Sequence, residues 1–388
     1  MTRPVLIDAV RTPIGRAHAQ NGMYRDVRAD DLSAHLMRAL VERNKLDPAL
    51  IEDVKWGCVM QQREQGYDVA KNAALIADLP VSVAGVTVNR NCGSSLAAIH
   101  YAAMSIIAGC EDVQIAGGVE HMDHIKMTDG YDPSPALFYK HSEGIMHMGL
   151  TAENLARKHD IPRRDQDAFA ARSHQLAAEA TASGRFEGEV IATWGRDEEG
   201  RKTLLKTDQC IRPDCTVESL AGLPPVFRKD SEATVTAGNS SPINVGAAAT
   251  LIMSETKAKQ LGLQPMARVV AMAVVGVDPS EMGIGPVPAV GKVLRRAGLE
   301  LDQIDCIELN EAFAAQSLAV LKQLGLDESK VNRRGGAIAI GHPLGASGAR
   351  IATTLLHRMR DEGGRYGLAT MCIGQGQGIA TVFESCDR

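Results

Sequence analysis

The chain has 388 residues, too long for one compact core, and that length points to two or three domains. Hydrophobic residues make up 45% and charged ones 23%, the composition of a soluble globular protein with a large core. Forty-two Lys and Arg against 47 Asp and Glu leave a net charge of −5. No overall basic bias therefore recruits nucleic acid or an anionic membrane, and a phosphate-bearing ligand needs a local basic patch.

The first residues do not read as a signal peptide and no apolar run reaches membrane-spanning length, so a cytoplasmic protein is expected. The eight cysteines, at 58, 92, 110, 210, 215, 306, 372 and 386, lack CxxC pairs or regular spacing. Neither a metal site nor a disulfide framework is expected from them. Aromatics are 4% while Gly numbers 37, which favours tight small-residue α/β layering.

In chain order, residues 5–8 read as a short strand and 30–43 as an amphipathic helix with Leu32, Leu36, Leu40 and Val41 on one face. Next come a strand over 51–60, a helix over 68–77, a strand over 81–88, a helix over 94–108 closed by Gly109, and a buried strand over 113–116. Such alternation predicts a mainly parallel sheet with helices on its faces. The region from Val119 to Asn244, rich in His, Met, Asp and Arg, breaks the rhythm and reads as an inserted lobe, with one long helix expected over 164–183. An apolar run over 247–253 and a helix over 255–261 follow, and alternation returns from Ala267.

An internal repeat is visible. Leu46-Asp47 leading to Ile51-Glu52-Asp53-Val54 matches Leu301-Asp302 leading to Ile304-Asp305-Cys306-Ile307. The strand-like Val86-Thr87-Val88 before Cys92 matches in shape Ala337-Ile338-Ala339-Ile340 before His342. If a pseudo-twofold axis relates the halves, the turns carrying Cys92 and His342 face one another. A nucleophilic thiol needs such a base.

Four polar turns at strand ends carry the candidate chemistry. Cys92 sits at a strand-to-helix turn, where backbone N–H groups and the helix dipole favour the thiolate; read alone, it is more often a small apolar filler. Asn310, in Glu308-Leu309-Asn310-Glu311, follows an apolar strand and is placed to touch a ligand, although alone it reads as a helix cap. His342, in Gly341-His342-Pro343-Leu344-Gly345, is a base or the cap of its own turn. Cys372 precedes Gly374-Gln375-Gly376-Gln377-Gly378, whose N–H groups can approach a ligand closely.

These stretches, with Asp8-Ala9-Val10-Arg11-Thr12-Pro13, Gly117-Gly118-Val119-Glu120-His121-Met122 and Val235-Thr236-Ala237-Gly238-Asn239, resemble the thiolase family over nearly the whole chain. The resemblance is closest to the degradative 3-ketoacyl-CoA thiolases, which act as a subunit of bacterial fatty-acid oxidation complexes. It implies a thiolase-like α/β fold of two duplicated halves in layered αβαβα architecture with an inserted loop domain. The halves fall at 1–118, completed by about 245–267, and at 268–388; the insert, 119–244, is the expected CoA cradle.

The resemblance assigns Cys92 as acyl-accepting nucleophile, Cys372 as acid/base and His342 as the group that activates Cys92 and polarises the thioester oxygen. It assigns Asn310 to fix a water in that oxyanion site, and the Gly374 and Cys92 N–H groups to a second one. Arg212, Phe227, Ser241, His147 and Met148 are the implied CoA contacts. CoA is a substrate, and no metal or redox cofactor is implied. A homodimer or tetramer is implied, with a hydratase/dehydrogenase subunit as a further partner. Asn91, Pro224 and Val245 depart from the common pattern. His147-Met148-Gly149 is reminiscent of the short-chain branch, so acetoacetyl-CoA thiolysis stays open beside long-chain cleavage. Asn310 disfavours a ketoacyl synthase, which carries a histidine there. Retention of Cys92, His342 and Cys372 disfavours a non-catalytic CoA- or lipid-binding protein.

Overall fold

The first strand, β1 (Pro4–Arg11), is buried along its whole length, which requires covering layers on both faces of its sheet. The computed structural model describes residues 2–141, 144 and 147–386. After β1 come β2 (Gly15–Arg16), α1 (Ala29–Arg43), β3 (Asp53–Gly57), α2 (Val69–Ile76), β4 (Ala84–Val88), α3 (Ser94–Ala108) and β5 (Val113–His121). Between β5 and β8 (Asn244–Ser254) lie α4 (Pro135–Lys140), α5 (Met148–Lys158), α6 (Arg163–Ala182), the hairpin β6 (Thr193–Arg196) and β7 (Lys202–Leu205), and α7 (Val217–Ala221). The rest is α8 (Glu255–Leu261), β9 (Ala267–Gly276), α9 (Pro286–Ala297), β10 (Cys306–Leu309), α10 (Ala314–Leu324), α11 (Ala337–Ile340), α12 (Ser347–Glu362), β11 (Tyr366–Ile373) and β12 (Gln377–Ser385).

The main sheet runs β4-β3-β5-β8-β1-β9-β12-β11-β10. Three apolar clusters divide it into five layers. One packs α1 and α2 on β3, β5 and β8 through Val54, Val113, Ile115, Leu251 and Met253. A second joins α3 and α12 to the opposite face through Ala116, Ala248, Ile252, Met371 and Phe383. The third packs α9 and α10 on the outer side of β9–β12 through Leu309, Leu368 and Val382. Ile115 against Ala116 and Val382 against Phe383 show the period-two alternation that sends neighbours to opposite faces. Each fully buried Leu or Ile contributes about 1.5–3 kcal/mol.

The halves repeat one topology. β4, β3 and β5 pair in parallel, then β8 and β1 antiparallel. In the second half β10 and β11 pair in parallel, then β12 and β9 antiparallel. The expected mainly parallel sheet is therefore corrected to a mixed one. β11 returns to β12 through the three residues 374–376, and so short a link permits only an antiparallel neighbour.

A second correction concerns 337–340, expected as the strand equivalent to β4. It is one helical turn, α11. Glu311 Oε2 accepts the Ile338 N–H at 3.2 Å and Ser173 Oγ accepts the Gly336 N–H at 3.0 Å, satisfying donors at a helix start. The strand equivalent shrinks to Val331, in a parallel bridge with Ile307.

The starts of α3 and α12 abut in the central layer. A Cβ on Gly348 would overlap the Leu96 backbone, and Ala349 N–H donates to Ser95 Oγ at 2.9 Å. The turns before these helices, carrying Cys92 and His342, are thereby brought to one region from opposite halves.

Candidate active site

Cys92 precedes the N-cap of α3, Gly93, as the strand-turn-helix pattern predicts. The turn is closed by Ser94, whose Oγ donates to Asn91 O at 2.6 Å and accepts Arg90 N–H at 2.9 Å. The Gly374 N–H and the Cys92 N–H lie near enough to the sulfur to favour its thiolate. These two donors are the pair assigned above to an oxyanion hole. Cys372, buried on β11, is close enough that charge on Cys92 raises its own pKa.

His342 is 5% exposed. Its N–H donates to Asn244 Oδ1 at 2.8 Å, its Nδ1 lies 2.6 Å from Ser347 Oγ, and its Nε2 lies 3.4 Å from Asn310 Nδ2. Ser347 Oγ also donates to Pro343 O at 2.8 Å, and a hydroxyl has one proton. Nδ1 therefore carries the imidazole hydrogen, and Nε2 is bare on the Asn310 side. Asn310 does not cap a helix: Phe313 is the N-cap of α10. Its N–H donates to Thr370 O at 3.1 Å, extending the β10–β11 pairing, and its buried Oδ1 has no protein partner among the described residues.

Electrostatics set desolvation against the expected thiolate. Burial pushes the Cys92 thiol up, opposed by the two backbone N–H groups and assisted by the Glu120 charge. Burial, then the charge of Arg350, pulls His342 down to about 3. Burial and then Cys92 push Cys372 far up. Desolvation works against the helix start here and favours the neutral form of both thiols and of the imidazole.

The family models for "Thiolase, N-terminal domain" and "Thiolase, C-terminal domain" match residues 4–256 and 263–385. The chain belongs to the thiolase family. It is 56% identical, over 99% of both chains, to a 3-ketoacyl-CoA thiolase of Pseudoalteromonas translucida. It is 56% identical to that of Serratia proteamaculans, over 99% of this chain and 100% of the other. Among solved structures, human mitochondrial 3-ketoacyl-CoA thiolase superposes with a TM-score of 0.90 at 38% identity, covering 99% of each chain. A Bacillus anthracis acetyl-CoA acetyltransferase does so with 0.89 at 39% and the same coverage.

The residues that the thiolase resemblance assigns to CoA fall in two places. Met148 packs in one apolar cluster with Cys372 and Phe313. Phe227 stands edge-on to Phe313 at 5.9 Å between centroids and fills the space a Cβ on Gly149 would occupy. Ser241 joins this wall by donating its N–H to Ala312 O at 3.0 Å, and exposed His147 is the N-cap of α5. Arg212 is apart from them: it lines a small cleft with Arg16, His174, Ser240 and Pro242, and its N–H donates to His174 Nδ1 at 3.1 Å.

Residues without an assigned role prove central to a thiolase site of this geometry. Buried Glu120 accepts from Val59, Met60 and Gly345 N–H and from Gln65 Nε2, at 2.8–3.2 Å, and so fixes the His342 turn to the end of β5. Glu311 joins Ser173, Asn332 and Ile338. Both lie in quoted motifs, but their partners are too distant in sequence to be read locally. Glu64, His121 and His124 also bring ligand-type atoms within 4.8 Å of one another. The ring nitrogens are engaged with Tyr24 O, Arg25 O, Glu64 and the His124 N–H, which makes the cluster a knot between loops.

Proposed function

We propose that the chain is a 3-ketoacyl-CoA thiolase, an acyltransferase that cleaves 3-ketoacyl-CoA with CoA to acetyl-CoA and a shortened acyl-CoA in fatty-acid degradation. The observation that carries this is a pair of contacts on turns whose helices abut, Asn310 at the bare Nε2 of His342 and Cys372 beside Cys92, in a chain 56% identical over its length to proteins of that name.

In the first half-reaction His342 Nε2 takes the Cys92 proton as the sulfur attacks the C3 carbonyl. The Cys92 and Gly374 N–H groups hold the oxyanion, the C2–C3 bond breaks, and Cys372 protonates the acetyl-CoA carbanion. His342 and a water on Asn310 Oδ1 stabilise the thioester enolate as it forms. In the second, the Cys372 thiolate deprotonates incoming CoA, whose sulfur attacks the acyl carbonyl. Cys92 leaves and recovers its proton from His342. A neutral imidazole leaves Nε2 free to take the first proton, and the Cys372 proton moves once the carbanion has formed. The segment between β5 and β8 is read as the CoA cradle, with Met148, Phe227, Ser241 and His147 along the pantetheine and Arg212 at the nucleotide end.

Assembly as a homodimer or tetramer in the cytoplasm belongs to the same reading. Its support is the open edge of the sheet at β4, where Val81 and Val86 are exposed beside Tyr101, Met104 and Ile107 of the adjoining α3. An unpaired edge flanked by apolar side chains is what a second copy would cover. A hydratase/dehydrogenase subunit is the further partner in this reading.

Thiolysis of acetoacetyl-CoA and of a long-chain 3-ketoacyl-CoA, measured in parallel for wild type and Cys92→Ser, tests the reading. Wild type is expected to cleave, Cys92→Ser to lose at least about 10³-fold. Full activity in Cys92→Ser sinks the mechanism. Cleavage of acetoacetyl-CoA alone assigns the chain to short-chain acetyl-CoA C-acetyltransferases.

A further inference from the structure

Asn91 has a backbone conformation and two hydrogen bonds that the steps above do not use. Its φ is +45°, in the left-handed region that Asn tolerates better than bulky residues do. From there its Nδ2 donates to Gly374 O at 3.2 Å and to Gln375 Oε1 at 3.3 Å. Its own main chain is fixed: the N–H donates to Asn89 Oδ1 at 2.9 Å, and the carbonyl accepts from Ser94 N–H at 3.0 Å and Ser94 Oγ at 2.6 Å. A rigid turn on one half thus reaches across to the loop of the other.

Gly374 opens the three-residue link between β11 and β12, where Gln375 and Gly376 have φ of +66° and +81°. Without a Cβ, Gly374 has wide freedom to rotate its peptide groups. Its N–H is near enough to the Cys92 sulfur to favour the thiolate, and its carbonyl is the atom that Asn91 holds. Pinning that carbonyl resists the rotation that would carry the N–H away.

We propose that Asn91 is a positioning residue: its amide, by holding Gly374 O, keeps the Gly374 N–H turned towards the Cys92 side of the loop and so preorganises one donor of the oxyanion hole. The assignment rests on the thiolytic reading above. The titratable groups that act on that sulfur are Glu120 at the end of β5 and Cys372 on β11, while Arg90 on the same turn bonds Gln377 and Tyr101, and His342 precedes the abutting helix α12. None of them bonds to the Asn91 amide, so a change at Asn91 reaches Cys92 through Gly374.

Two variants separate the amide from the backbone. Asn91→Gly keeps the left-handed turn and removes the donor; Asn91→Asp keeps the shape, removes the donor and adds a negative charge. Acetoacetyl-CoA thiolysis, the thermal midpoint and the pH dependence of iodoacetamide alkylation at Cys92 are measured for wild type and both. In Asn91→Gly, kcat is expected to fall about 10-fold with KM for CoA within about twofold. The apparent pKa of alkylation is expected to rise in Asn91→Gly and further in Asn91→Asp, because the thiolate loses a donor. Wild-type kcat together with a wild-type alkylation profile in Asn91→Gly overturns the proposal. Lost kcat with an unshifted alkylation profile overturns it too, since that is what general loosening gives. If Asn91→Gly does not fold, Asn91→Asp carries the same readouts. A wild-type protein without thiolysis counts against the thiolytic reading, while the alkylation profiles still decide the role of Asn91.

Discussion

His342 Nδ1 and Ser347 Oγ lie 2.6 Å apart, one helical turn of α12 holding the imidazole in a single tautomer. Ser347→Ala removes the acceptor for Nδ1–H and lets the ring turn or change tautomer. The expected outcome is a kcat about 10- to 100-fold lower with a nearly unchanged thermal midpoint. Steady-state thiolysis beside calorimetry checks it, and an unaffected kcat would show that the ring needs no such support.

The buried histidines make stability depend on pH. Burial holds His100 and His342 at about 3 and His174 at about 4, with nearby arginines adding to it. Their folded values lie below the unfolded value near 6.5, so below that pH the unfolded chain takes up protons that the folded chain refuses. Stability is therefore lost as pH falls from about 6.5 towards 4, by up to about 1.4 kcal/mol per histidine per pH unit. Glu120, Glu308 and Glu311, raised by burial, take up protons in the folded state and offset part of this. The thermal midpoint should be several degrees lower at pH 5.5 than at 7.5; an equal or higher midpoint at 5.5 contradicts the balance.

Gly348→Ala places a methyl group against the Leu96 backbone, where α3 and α12 touch. Neither helix can retreat, because both are buried between the sheets. A destabilisation of about 1–3 kcal/mol is expected, with a larger fractional loss of activity than of fold. Urea unfolding and turnover on the same preparation test this; a variant as stable and active as wild type would mean that the contact yields.

Arg11 is wholly buried and bonds Glu189 at 2.7 Å and Asp208 at 2.7 and 3.0 Å, tying β1 to the segment between β5 and β8. Arg11→Met leaves two carboxylates without their cation. A loss of about 3–5 kcal/mol is expected from denaturant midpoints. Simultaneous replacement of Glu189 and Asp208 by Gln should recover part of it, and failure of any recovery argues against the ion pairs as the cause.

Much of the fold was legible in local pattern. The ends of α3 and α8 coincide with the expected 94–108 and 255–261 because Gly109 and Gly262 stop both helices in left-handed caps. β5 was read short at Ala116, since Gly117-Gly118 looks like a strand end. The strand continues to His121 because Cβ atoms there would collide with Ala248 O and Gly345 O, so close backbone approach requires glycine. Cys92, Asn310, His342 and Cys372 stood out as polar residues at strand ends. What holds them did not. The Glu120–Gly345 and Asn91–Gly374 contacts join residues more than 200 positions apart, and no local spacing encodes them. The force opposing the Cys92 thiolate is hidden for a related reason: the helix start is visible in sequence, and the desolvation is not.

β1 and β9 register through only two residue pairs, Val5 with Arg268 and Leu6 with Ala267. A join so narrow leaves the two sheets little leverage on one another, so their alignment falls to the helix pair wedged between them. In the proposed mechanism, nucleophile and base ride on opposite members of that pair. On that mechanism the separation of the two turns depends on how closely the helices approach, and Gly348 meets Leu96 with no room for a Cβ. The absence of one methyl group acts there as a spacer, and the reactive centre is a property of the seam that neither half carries by itself.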